Sequence, residues 1–128
     1  MIDRSLELTL SQMGEAIRNM RVFAEGMTFE DYQKDARTRL AMERCVEIIS
    51  EAARRMPQEL QEKHPDIPWD DIKGIGNILR HGYDRVDDRI IWGVLKRHLT
   101  PLEATLASIR SELGLPALDQ PSDGARGQ

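Results

Sequence analysis

The sequence predicts an all-α fold, an antiparallel bundle of four helices, or of five if the last helix divides. Aromatic residues make up only 5% of the 128 residues, and most of the chain consists of residue types that favour helices. Apolar residues recur at spacings of three and four along several long stretches, and strand-like alternation is absent. A chain of this length is expected to form one domain around a single core.

The first helix is predicted from about Asp3 to Ala24, because its apolar residues form one continuous stripe. Gly26 ends this helix, and Thr28 followed by Asp31 is typical of a capping pair that starts a short helical turn. The stripe consists of Leu6, Leu10, Met13, Ile17, Met20 and Ala24.

A second long helix is predicted from about Ala36 to Met56, and Pro57 either closes it or begins a short further turn. Its stripe contains Cys45, the single cysteine, so we expect a buried thiol and no disulfide. The apolar stripes of the first two helices are wide for a small monomer, and they therefore predict a homodimer formed through a helical face. The second stripe consists of Met42, Val46, Ile49, Ala53 and Met56, widened by Cys45, Ile48 and Ala52.

Two further helices are predicted in the second half of the chain. Pro68 suits the first turn of a helix over Trp69–His81, and Asp87 is a good N-cap for a helix that continues to Leu113. Thr100-Pro101 either kinks this last helix or divides it, with Thr100 as the new cap. The helical domain therefore spans 1–113, and 114–128, rich in Pro, Gly, Asp and Ser, is predicted to be a disordered tail.

Charge and targeting signals narrow the class of protein. The N-terminus lacks the apolar run of a signal peptide, so we expect a cytoplasmic protein that does not bind membranes. The formal net charge of −4 argues against a surface that coats nucleic acid everywhere. Between Lys73 and Leu99, however, the sequence contains six cationic residues and only three anionic ones. This local excess suits a phosphate-bearing partner, although a solvated helix face is the commoner explanation.

The segment Gly74–Tyr83 holds an imidazole, a guanidinium, an amide and a phenol at the predicted junction of two helices. Asn77 precedes His81 by four residues, which places both on one helix face. Gly74-Ile75-Gly76 lacks the strand and the Lys-Ser/Thr of a phosphate loop, so close helix packing explains it better. His64 and His98 have no neighbouring ligand set, and we therefore expect neither a metal nor a cofactor.

The order of motifs resembles the HepT-like branch of the HEPN proteins from the first helix to Leu113. The resemblance implies a homodimeric helical bundle that acts as the toxin of a type VII-like toxin-antitoxin pair and cleaves RNA without a metal. Its implied partner is a nucleotidyltransferase antitoxin of the MntA type. The motifs are Ile49-Ser50-Glu51-Ala52-Ala53, Ile67-Pro68-Trp69, Asn77-x-x-x-His81-x-Tyr83, Val86-Asp87 and Ile91-Trp92.

The resemblance also implies roles for individual residues. His81 and Asn77 match catalytic positions, and Tyr83 matches the tyrosine that the antitoxin modifies with AMP. The family's motif arginine is replaced by Gly76, so the cation for the transition state must come from elsewhere. The nearest candidate is Arg80, on the same helix or on the partner copy. The cations that follow it and that are candidates for RNA-phosphate contacts are Arg85 and Arg89.

These residues also have a structural explanation, since the helix dipole stabilises a cation or an imidazole at the C-terminal end of a helix. Two other functions stay open beside the nuclease. One is a non-catalytic HEPN module that binds RNA or nucleotide, consistent with Gly76. The other is a structural helical dimer that binds a nucleotidyltransferase partner.

Overall fold

The protein is all-α, as predicted, and the computed structural model describes residues 4–81 and 87–118. None of the helices in these two ranges is both long and apolar enough to cross a lipid bilayer. The elements are α1 (Arg4–Phe23), α2 (Phe29–Lys34), α3 (Ala36–Arg55), α4 (Gln58–Lys63), α5 (Trp69–His81), α6 (Asp88–Gly93), a π-helical segment (Val94–His98) and α7 (Leu99–Glu112).

Helix α3 is the centre of the bundle, with α1 on one side and α5 on the other. Helix α7 packs on α1, and α6 contacts α3. The apolar stripes predicted for α1 and α3 are confirmed as the main core, because nearly all their members are buried. Cys45 is likewise a buried free thiol, and burial raises its pKa, which makes the reactive thiolate harder to form. The fully buried large side chains include Leu10, Met13, Ile17, Met20, Tyr32 and Met42.

The turn between α1 and α3 is built by side-chain caps. Thr28 and Asp31 form the predicted capping box at the start of α2, with both reciprocal hydrogen bonds present. Asp35 then ends α2 and caps α3, because its carboxylate accepts a hydrogen bond of 3.1 Å from the backbone N–H of Thr38. Helix α3 therefore begins at a fixed residue, which sets the register of its contacts with α1 and α5.

The connection from α3 to α5 contains the short helix α4, which corresponds to the further turn predicted at Pro57. The indole N–H of Trp69 donates a hydrogen bond of 3.0 Å to the backbone carbonyl of His64. This bond spans the Pro-rich loop and holds the first residue of α5 against it. Helix α5 covers the same residues, Trp69–His81, that the sequence predicts.

The last predicted helix is interrupted, but not where the sequence suggested. Asp87 is the N-cap of α6, as predicted, whereas Thr100 caps nothing and Pro101 lies inside α7. The irregularity lies upstream, where the backbone N–H of Leu99 reaches back five residues to the carbonyl of Val94. Pro101 has no N–H and its ring crowds the carbonyl of Arg97, so a wider turn before it relieves the clash.

The last described residues turn back along the bundle. The backbone N–H of Leu115 donates to the carbonyl of Arg110, and the Arg110 side chain donates from Nε to the carbonyl of Pro116 at 2.8 Å. Leu118 lies against α1 at Gly14, where a Cβ atom would come within 2.0 Å of its side chain. The disordered tail predicted over 114–128 therefore stays a prediction for 119–128, which lie outside the described residues, whereas 115–118 contact the bundle.

The Asp35 cap predicts a pH-dependent contribution to stability. Hydrogen bonds from Thr38 hold the pKa of Asp35 below its ordinary value of 3.8. The cap therefore stabilises the fold above pH 3.8, and this contribution is lost as the pH falls through the lowered pKa. We expect Asp35→Ala to lower the melting temperature by several degrees at pH 7, and the difference from the parent to shrink in acid.

The matched control for this cap is Asp66→Ala, which removes an exposed carboxylate from the loop before α5. Thermal melts of the three proteins between pH 7 and pH 3 give the comparison. A difference between Asp35→Ala and the parent that stays constant over this range would contradict the assignment.

Candidate functional site

The candidate site is built on the C-terminal half of α5. Asn77 is exposed on this helix, and His81, its last residue, follows one turn later, so the two positions share a helix face. Arg80 and His81 belong to α5, but their side chains lie outside the described part of the structure. Tyr83 and Arg85 also lie outside the described residues, so their predicted roles remain predictions.

Helices α3 and α5 are joined by a buried hydroxyl. Ser50 on α3 is completely buried, and its Oγ donates a hydrogen bond to the carbonyl of Lys73 at 3.1 Å. The same oxygen accepts a hydrogen bond of 3.1 Å from the backbone N–H of Gly76. A side chain of α3 thus bonds two backbone groups of α5, which fixes both the distance and the register between the helices.

A guanidinium extends this contact by one helical turn. Arg54, four residues after Ser50, donates from Nη2 to the side-chain oxygen of Asn77 at 2.8 Å and to the carbonyl of Lys73 at 3.1 Å. We call this set the α3–α5 polar seam; its members are Ser50, Arg54, the Lys73 carbonyl, the Gly76 N–H and Asn77. The seam brings a cation next to a predicted site residue.

The two glycines of α5 have different surroundings. Gly76 is buried and faces Ser50, so the prediction of close helix packing is confirmed at this position. Gly74 is different, because a Cβ atom added there would meet nothing within 4 Å. The close approach of α3 and α5 therefore depends on Gly76 and not on Gly74.

Two cations that flank the candidate site along the chain, Lys73 and Arg89, already contact acceptors. Arg89 lies at the start of α6 and forms an ion pair with Asp87, with Nη2 3.0 Å from the carboxylate. This pairing lowers the pKa of Asp87 and raises the pKa of Arg89. Lys73 donates to the side-chain oxygen of Gln61 at 2.8 Å and lies 3.9 Å from Asp70. Each of these two cations thus has a carboxylate beside it that offsets part of its charge.

Comparison with known proteins identifies the family. The family model described as "Ribonuclease HepT-like" matches residues 13–109, which include α3, α5 and the whole polar seam. The chain belongs to the HepT-like ribonuclease family. No solved structure matches it significantly.

Curated relatives agree with this assignment. A "Probable ribonuclease HepT" of Thermococcus cleftensis is 33% identical over 107 residues, which cover 84% of this chain and 97% of the relative. A "Putative RNase" of Caldanaerobacter subterraneus subsp. tengcongensis is 39% identical over 85 residues, or 66% of this chain and 76% of the relative. A second "Putative RNase", from Methanocaldococcus jannaschii, is 26% identical over 110 residues, or 86% of this chain and 91% of the relative.

In this HepT-like chain, sequence reasoning missed Arg54 and did not assign a role to Ser50. Both lie on a helix whose apolar stripe was read as core, and their partners are 19 to 26 residues away on α5. The available signal was their spacing of four residues, which places them on one face of α3 beside the stripe. That spacing alone does not reveal which helix they contact.

The seam predicts that Ser50→Ala destabilises this HepT-like domain by about 1–3 kcal/mol, because two hydrogen bonds between α3 and α5 are lost in the interior. Chemical unfolding monitored by circular dichroism measures the free energy of unfolding. Ser111→Ala is the control, since Ser111 is exposed near the end of α7 and should change stability by less than about 0.5 kcal/mol. Equal, small effects of the two substitutions would refute a structural role for the Ser50 hydroxyl.

Proposed function

We propose that this chain is a toxin-type endoribonuclease that cleaves RNA without a metal, with His81 at the centre of the site. Family membership supports the class of activity. The observation that carries the proposal further is the course of α5, which stays helical through His81. Asn77 and His81 are therefore one turn apart on a helix whose position α3 fixes through Ser50.

The proposed reaction uses the RNA as its own nucleophile. The 2′-oxygen attacks the adjacent phosphorus and loses its proton to a base, while the bond from phosphorus to the 5′-oxygen breaks and that oxygen gains a proton. The products are a 2′,3′-cyclic phosphate and a 5′-hydroxyl. Imidazole suits either proton transfer because its ordinary pKa lies near neutrality. A cation is also required, since negative charge builds up on the phosphoryl oxygens.

We further propose that the active form is a homodimer. One copy of the Asn77–Tyr83 segment supplies a single imidazole, whereas the reaction needs a base, an acid and a cation together. Two copies facing a shared cleft would supply both imidazoles and would let Arg80 act across the interface. Arg85 and Arg89 would then contact RNA phosphates beside the cleft, Arg89 only after it exchanges Asp87 for phosphate.

The proposed partner is an MntA-like nucleotidyltransferase antitoxin that transfers AMP to Tyr83. The phenol oxygen would attack the α-phosphorus of ATP, and pyrophosphate would leave. The attached phosphodiester would place a negative charge two residues from His81. This charge repels RNA phosphate and favours the imidazolium over the free base, so the modified toxin should be silent.

His81→Ala should reduce the cleavage of single-stranded RNA by at least about 100-fold, because it removes the proton-transfer group. Gel electrophoresis of labelled RNA measures the rate, with and without EDTA, and the parent should be equally active in chelator. The control is His64→Gln, which removes an imidazole from the loop before α5.

Activity that disappears in chelator and returns with a divalent ion would overturn the metal-independent mechanism. RNA binding without cleavage by the parent protein would favour the non-catalytic HEPN module, for which the loss of the motif arginine at Gly76 is the specific indication.

Tyr83→Phe should keep toxicity and escape neutralisation by the partner, because it lacks the oxygen that accepts AMP. Growth assays in cells that express the toxin with and without the nucleotidyltransferase measure both properties. The control in the same two strains is His81→Ala, which should not be toxic with or without the nucleotidyltransferase. If the partner silences Tyr83→Phe as fully as the parent, control runs through complex formation and not through AMP transfer.

A further inference from the structure

The cation that this chain lacks at Gly76 has a counterpart on the neighbouring helix. Arg54 lies in the last turn of α3 and is exposed, yet its Nη2 atom is tied to Asn77 and to the Lys73 carbonyl. Asn77 directly follows the position where the family carries arginine. The guanidinium therefore lies beside that position although it comes from another element.

We infer that Arg54 is the phosphate-binding cation of the site on α5, in place of the missing motif arginine. The inference rests on the proposed function and names the residue that holds the RNA phosphate next to His81. Asn77 positions Arg54 in this arrangement, through the hydrogen bond that its side-chain oxygen accepts. Arg80 and the partner copy are then not needed as sources of this charge.

The contacts of Arg54 leave its charge available. Both of its acceptors, an amide oxygen and a backbone carbonyl, are neutral, and within the described part of the chain no carboxylate pairs with it. Both contacts use Nη2, so the Nε–H group and the two N–H groups of Nη1 are left as donors for phosphate. Hydrogen bonds from a charged guanidinium to phosphate oxygens are stronger than those between neutral groups, so either of these nitrogens suits a phosphate contact.

The next residue, Arg55, has a different partner from Arg54. Arg55 is also exposed in the last turn of α3, but its Nη2 atom donates to the side chain of Gln12 on α1, 3.0 Å away. The two residues carry the same charge on the same helix end and reach opposite neighbours. A general stabilisation of the helix dipole applies to both of them, whereas contact with RNA at α5 applies to Arg54 alone.

The experiment compares Arg54→Gln, Arg54→Lys and Arg55→Gln in the full chain. The probe for binding is a single-stranded RNA with 2′-O-methyl groups, which lacks the attacking hydroxyl, titrated at several KCl concentrations. Arg54→Gln should reduce the slope of log affinity against log salt by about 0.7, the value for one phosphate contact on a single strand. Arg54→Lys should retain the slope, and Arg55→Gln should leave it unchanged.

Cleavage of unmodified RNA supplies the second readout. Arg54→Gln should lower kcat by about 100-fold, because a cation aimed at developing phosphoryl charge acts mainly in the transition state. Arg54→Lys should recover part of this loss, since the charge remains but the planar, fixed set of guanidinium donors does not. Arg55→Gln should stay within about twofold of the parent, and thermal melts should show that all three variants fold.

The outcomes separate this inference from the proposed function. A parent that cleaves RNA, with Arg54→Gln matching Arg55→Gln in salt slope and kcat, overturns the role of Arg54 and leaves the ribonuclease proposal intact. A parent that binds RNA with an Arg54-dependent slope but does not cleave it supports Arg54 and refutes the ribonuclease proposal. A parent that neither binds nor cleaves RNA refutes both.

Discussion

The candidate site depends on one buried hydroxyl, the Ser50 Oγ between α3 and α5. Oxygen at this position both donates to and accepts from the backbone of α5, so the helix is held at two points and its rotation is fixed. Gly76 permits the approach, because the backbone of α5 must come within hydrogen-bond distance of a serine, the shortest hydroxyl side chain. The exposed residues of α5, including Asn77 at the edge of its contact with α3, are oriented by this internal contact.

The charge pattern of the site follows from which acceptors each cation meets. The protein is acidic overall, with a formal net charge of −4, so a phosphate ligand can be attracted only where positive charge is left uncompensated. Arg89 faces a carboxylate and Arg54 faces neutral oxygens, although both are exposed arginines near helix ends. The difference arises from the neighbouring residues and not from the count of cations along the chain.

The sequence allowed prediction of the helices more completely than of the contacts between them. The bounds of α5, the capping box at Thr28 and the Asp87 cap depend on local chemistry, and each is confirmed. Arg54 was not anticipated, because its partners on α5 are 19 and 23 residues away and a periodic pattern gives no information on which helices become neighbours. The sequence predicted that the last helix is interrupted at Thr100-Pro101. This position was wrong, because the widened turn forms at Val94–His98, before the proline.

The π-helical segment also changes the phase of the last helix. Val94 and Leu99 are both buried although they are five positions apart, an interval that would place them on different faces of a regular α-helix. One additional residue in the turn shifts all later positions by about 100°. Helix α6, which follows the candidate site, and α7, which packs on α1, therefore each turn their own apolar residues toward the core, such as Ile91 and Leu102. The π-helical segment in this way makes the orientation of α6 compatible with the packing of α7 on α1.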